Sequence, residues 1–147
     1  MSFISYLING ISLGSLYALI ALGYTMVYGI AKMLNFAHGD VIMIGGFTIY
    51  IVATTLGLPP LLGIIVAVIV CTALGMTIEK IAYKPLRKAS PLAVLITAIG
   101  VSYLLQNVAL LIFGANTKLF TSVISVPPIP LADGQISISG ETIVTII

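Results

Sequence analysis

Charge is what this sequence has least of. Asp, Glu, Lys and Arg make up 7% of its 147 residues, against about a quarter in a soluble domain. Apolar residues make up 60%, and mean hydropathy is +1.24. A surface so poor in charge would aggregate in water, so lipid is the solvent for most of the chain. The net charge of +2 leaves no electrostatic footprint for nucleic acid. A single cysteine, Cys71, excludes an internal disulfide, and its apolar run marks it as a buried, inert thiol. One His and one Cys cannot build a metal cluster, so neither metal nor cofactor is expected. There is no Gly-x-x-x-x-Gly-Lys-Ser/Thr phosphate loop and no nucleophile–base set, so the chain is not expected to be an enzyme.

Residues 1–31 carry no charge at all. A secretory signal needs a basic n-region, a shorter apolar core and a small-residue cleavage site, so this stretch reads as a permanent span. About 20 apolar residues cross a bilayer as a helix. Charge-free runs of that length occur at 1–31, 41–78 and 89–117. The second is long enough for two spans, and Gly57-Leu58-Pro59-Pro60 divides it, because proline cannot continue a helix. The expectation is an all-α, polytopic transmembrane bundle with spans at 4–30, 41–57, 60–79 and 92–113. A fifth starts at Thr142 and is cut off by the chain end, which suggests a fragment of one transmembrane domain. Open sheets are excluded in lipid.

The segment 79–91 holds Lys80, Lys84, Arg87 and Lys88, four of the six basic residues. The excess of basic residues places it in the cytoplasm as a loop. The segment 114–141 is then extracytoplasmic. Its prolines, its Asp133-Gly134 pair and its Ile136-Ser137-Ile138-Ser139 alternation suggest a short hairpin or extended loop.

Helices in lipid associate through close approach of small residues. Gly10, Gly14 and Ala18 recur every four residues on the first span; Gly63, Ala67, Cys71 and Gly75 do so on the third. Both faces are expected to be buried against other helices.

Polar groups concentrate in Asn35-Phe36-Ala37-His38-Gly39-Asp40. The simple reading is that Asp40 caps the next helix and His38 bonds a backbone carbonyl. The functional reading is a bend at the inner end of a translocation path. Gly39 would supply the unusual backbone, and Asn35 and His38 would satisfy freed backbone groups.

The stretch Tyr17-Ala18-Leu19-Ile20-Ala21-Leu22-Gly23-Tyr24-Thr25-Met26-Val27-Tyr28-Gly29, followed by Asn35-Phe36-Ala37-His38-Gly39-Asp40, resembles the opening of branched-chain amino-acid ABC transporter permeases. Tyr83-Lys84-Pro85-Leu86-Arg87, Thr97-Ala98-Ile99-Gly100-Val101-Ser102, Gln106-Asn107 and Gly114 match the same family in order. The resemblance covers the whole chain and about the first half of a family member. It implies a multi-pass permease subunit in a bacterial inner membrane. Its implied partners are a second permease, two cytoplasmic ATPase subunits, an extracytoplasmic binding protein and membrane lipid. It adds Thr25, Tyr28, Thr97 and Ser102 to the Asn35–Asp40 block as candidate path residues. Close relatives move urea or short amides, and nothing in the residues separates these cargoes. Two other readings remain: half of a secondary transporter, which would want coupling-ion acids within the membrane, and a non-transporting helical scaffold.

Overall fold

A computed structural model describes residues 2–119, 129–131 and 136–138. The chain divides into two compact units, Met1–Met26 with Ser122–Ile147, and Val27–Thr121. The expected fifth span and the Asp133-Gly134 turn lie outside the described residues.

The first unit contains most of α1, which runs over Ser2–Ala31 without a charged residue. Ser15 and Thr25 fold their hydroxyls back onto the carbonyls of Ile11 and Ala21, so neither leaves a bare donor on an apolar helix. The same unit holds a short antiparallel pair, β1 (Ile129–Leu131) with β2 (Ile136–Ile138), in which Pro130 faces Ser137.

The second unit carries the remaining helices. Lys32 ends α1: it takes φ 55, and its N–H bonds the Tyr28 carbonyl at 2.8 Å, the left-handed closure usually given to glycine. Helix α2 (His38–Tyr50) continues into a π turn at Ile51–Thr55. Gly57, at φ 61, then turns the chain toward Pro59-Pro60. Helix α3 (Pro60–Ile78) opens on Pro60, whose fixed φ suits a first turn and whose missing N–H costs nothing there. It too runs on, through a π turn at Glu79–Tyr83 and a 3-10 turn at Lys84–Leu86. Helix α4 (Pro91–Phe113) is capped by Ser90, whose Oγ accepts from the Ala93 N–H, and it closes at Gly114 with φ 77.

Among the described residues, four helical stretches are long and apolar enough to cross a membrane: Phe3–Ala31, His38–Thr55, Pro60–Leu86 and Pro91–Phe113. The chain is an all-α, polytopic membrane protein. Two boundaries differ from the sequence reading. The second helix starts at His38, three residues before the expected 41. The expected loop over 79–91 is helical as far as Leu86, because Glu79, Lys80, Ile81 and Ala82 all tolerate a helix and the first breaker is Pro85. Only four residues, 87–90, separate the two helices.

Packing follows one of the two small-residue stripes. Gly63 and Ala67 of α3 are buried, and a Cβ added at Gly63 would lie 3.4 Å from the Ile49 backbone of α2. One turn on, a Cβ at Gly45 of α2 would come within 3.1 Å of the Cys71 sulfur, whose thiol donates to the Val41 carbonyl at 3.5 Å. Helices α2 and α3 therefore touch almost backbone to backbone, the arrangement by which van der Waals contact holds helices in lipid. Gly75 does not extend the contact: a Cβ there would meet nothing within 4 Å. The same is true of Gly10 and Gly14, and Ala18 is exposed, so the expected burial of that face is not found among the described residues. A stripe of small residues permits close approach but does not supply the partner.

Elsewhere Tyr83, Val94 and Ala98 form a buried cluster with Met33, Ile78 and Leu86 around it. The rings of Phe47 on α2 and Phe113 on α4 stack at 4.3 Å, nearly parallel.

Candidate functional site

The polar block between α1 and α2 is a built turn. The Asn35 side-chain oxygen accepts from the Ala37 N–H at 3.1 Å, and the Asn35 carbonyl accepts from the His38 N–H at 3.2 Å. Such a side-chain turn imitates a backbone turn and delivers the chain into α2 in helical conformation. The same Asn35 oxygen accepts from the Tyr83 hydroxyl at 2.9 Å, tying the turn to the π turn that prolongs α3. Ala37, the residue at the helix start, is wholly buried, so its N–H depends on Asn35.

Asp40 has a different role from the expected one. It lies in the first turn of α2, where the helix dipole favours a carboxylate, but it caps no N–H. It is 7% exposed, and its carboxylate points across to α4. One oxygen accepts from Ser102 Oγ, the other from Gln106 Nε2 at 3.0 Å. Gln106 also donates to Ser102 at 3.2 Å. Ser102 and Gln106 lie one turn apart on α4 and so share a face. A buried carboxylate is costly unless its oxygens are bonded, and here both are. Both donors are neutral, and α4 carries no Lys or Arg to pair with the acid.

Gly39 also departs from expectation. It is an ordinary helical residue; only Gly57 and Gly114 among the described glycines take positive φ, and a Cβ at Gly39 would meet nothing within 4 Å. The unusual backbone in this region belongs to Lys32.

Of the other candidates, Thr25 and Thr97 return their hydroxyls to their own helices, at the carbonyls of Ala21 and Ala93. Phe36 is exposed. Tyr28 stands near the end of α1, and His38 lines a cavity of about 1090 Å³ together with Asn35, Val41, Thr72, Glu79 and Tyr83. Glu79 makes an ion pair with Arg87 at 2.5 Å, both side chains being largely exposed. A smaller cavity, about 440 Å³, lies against Phe47, Tyr50, Gln106 and Leu110. The structure thus unites Asn35 with Tyr83, and Asp40 with Ser102 and Gln106. It leaves Thr25 and Thr97 out of both groups.

Two residues escaped the sequence reading of the site. Gln106 carried a usable signal, a second polar residue one turn beyond Ser102 in an otherwise apolar span. Tyr83 opens a family-matching stretch, but nothing there points to Asn35, which is 48 residues away and is brought to it only by the fold.

No group of three or more metal-binding side chains occurs among the described residues. The arrangement can bind hydrogen-bonding groups and hold helices in register.

Comparison with known proteins gives one consistent result. Residues 6–144 match the family described as the permease component of the branched-chain amino acid transport system. The high-affinity branched-chain amino acid transport system permease protein BraD of Pseudomonas aeruginosa is 41% identical over 149 residues, covering 96% of this chain and 48% of the relative. The corresponding LivH proteins of Salmonella typhimurium and Escherichia coli are 44% and 43% identical over 122 residues, covering 78% of this chain and 40% of theirs. The chain therefore spans about half the length, or less, of these relatives. No solved structure matches.

Proposed function

The chain belongs to the family of branched-chain amino acid transport permease components, and on that premise we propose that it forms part of the membrane path of an importer for leucine, isoleucine and valine. The observation that carries the reading is the family match across residues 6–144. The buried Asp40 carboxylate agrees with it, since ionisable groups within spans mark transport paths more often than inert scaffolds.

In this reading the full-length subunit works with a second permease and with an extracytoplasmic protein that delivers the amino acid. ATP is hydrolysed by two cytoplasmic ATPase subunits; residues 1–147 contain no phosphate loop. The membrane is the bacterial inner membrane. The basic stretch Lys80–Lys88 faces the cytoplasm, which puts the Asn35–Asp40 turn near the inner end of the path and the residues after Gly114 outside. Asp40, Ser102 and Gln106 line or brace that path between α2 and α4.

The test is ATP-dependent uptake of labelled leucine by proteoliposomes holding the full-length subunit and its partners. Uptake that unlabelled isoleucine and valine suppress, and urea does not, supports the proposal. Suppression by urea or a short amide alone would transfer it to the other cargo class. Uptake driven by an ion gradient without ATP would reject an ATP-driven importer.

A further inference from the structure

Three helix ends meet at one level of the second unit. Helix α1 stops at Ala31, the stretch prolonging α3 stops at Leu86, and α4 starts at Pro91. Lys32 and Arg87 each stand one residue beyond the end of an apolar helix. Both line one cavity of about 550 Å³, together with Leu34, Leu86, Leu92 and Leu95. Two cations therefore share a pocket whose remaining walls are apolar apart from Tyr28.

Each element of that pocket favours an anion with a hydrocarbon tail. The ends of long apolar helices mark the boundary between hydrocarbon and water, where Lys and Arg meet lipid phosphates. The first turn of α4, Pro91 and Leu92, borders the pocket with the positive end of a 23-residue helix. Tyr28, which also lines it, is an amphipathic ring of the kind enriched at this depth. Arg87 gives one nitrogen to Glu79 through an exposed pair, and its other donors remain for a second acceptor. Lys32 forms no ion pair among the described residues. It also holds φ 55, a conformation that side chains with a Cβ rarely adopt and that tends to persist at functional positions.

We propose that this pocket binds an anionic phospholipid, its phosphate between Lys32 and Arg87 and its acyl chain against the leucines. The inference needs only the chain's place in a membrane, so it stands or falls apart from the identity of the cargo.

The test uses the full-length permease with its partners, exchanged into phosphatidylethanolamine with or without phosphatidylglycerol, with bound lipid read by native mass spectrometry. Wild type should retain phosphatidylglycerol in preference to phosphatidylethanolamine. Lys32→Gly removes the cation and supplies the residue that φ 55 favours, so it weakens binding without straining the backbone. Affinity for phosphatidylglycerol should fall roughly fivefold in Lys32→Gly, and by a similar factor in Arg87→Gln. Lys32→Arg should retain it. Lys118→Gln, beyond the opposite end of α4, should leave it unchanged. Equal affinity in wild type and Lys32→Gly would overturn the proposal. So would binding without headgroup preference, which would mean that other segments fill the pocket. Displacement by millimolar inorganic phosphate would also overturn it, since a free-anion site has no use for the leucine walls.

Discussion

The Asp40 carboxylate on α2 accepts a hydrogen bond from the Gln106 side chain on α4 at 3.0 Å, across 66 residues of sequence. This contact, with the one to Ser102, is a polar tie between two helices whose neighbouring contact is the Phe47–Phe113 stack. In lipid no hydrophobic force pushes helices together, so a satisfied polar contact sets register where apolar side chains do not. The same bonds make Asp40 affordable inside a span.

Replacement of Asp40 separates charge from hydrogen bonding. Asp40→Asn keeps an acceptor for Gln106 and can donate to Ser102, so assembly of the full-length complex should persist. Asp40→Leu removes the partner of both and should destabilise by about 1–3 kcal/mol. Thermal unfolding of the purified complex measures this. A Leu variant as stable as wild type would mean that α2 and α4 do not depend on the tie. Leucine uptake with Asp40→Asn then tells whether the charge itself serves transport.

The two acceptor bonds of Asn35 differ in what remains when each is lost. Tyr83→Phe removes one hydroxyl from Asn35 and should cost about 1 kcal/mol. Asn35→Ala also strips the buried Ala37 N–H of its acceptor and should cost more. If the order of melting temperatures is reversed, the turn is held chiefly through Tyr83.

Gly63 and Gly75 lie on one stripe but in different surroundings. Gly63→Leu drives a side chain into the Ile49 backbone and should lower stability by about 1–3 kcal/mol, with reduced yield of folded protein. Gly75→Leu enters open space among the described residues and should be far milder. Comparable losses from both would show that Gly75 meets a helix elsewhere in the full-length protein.

Gly39 sits exposed in helical conformation, so Gly39→Ala should raise stability by about 0.5–1 kcal/mol through a smaller loss of backbone entropy. A falling melting temperature would instead reveal a close neighbour at that face.

Topology has its own check. On a Cys71→Ser background, a cysteine at Ser90 should resist an impermeant thiol reagent in intact cells, and one at Asn116 should react. The reverse pattern would turn the proposed orientation over.

Much of the fold is local chemistry, and the sequence carries it openly. Long charge-free runs demand helices, since backbone groups in lipid have no other way to be satisfied. Their ends are written in Gly57-Leu58-Pro59-Pro60, in Ser90-Pro91 and in Gly114, each of which stops or starts a helix by its own geometry. Where the signal was weaker the boundary moved. The charges after Ile78 suggested a loop, but charge does not break a helix, and the chain stays helical to Leu86. The turn at Lys32 was invisible, because nothing about a lysine announces a left-handed residue.

The sequence by itself determined that the chain lives in a membrane, that it is helical, and which family it belongs to. The tertiary structure alone decided what the polar residues do. Asp40 looked like a cap because its neighbours in sequence are helix-starting residues; it is a tie because α4 brings Ser102 and Gln106 to it. Two stripes of small residues looked equivalent, and among the described residues only the one at Gly63 and Ala67 lies against a neighbouring helix. The reason is the same in both cases. Helices that are apolar on every side show no buried face in their periodicity, so which face meets which partner is set by packing between distant segments.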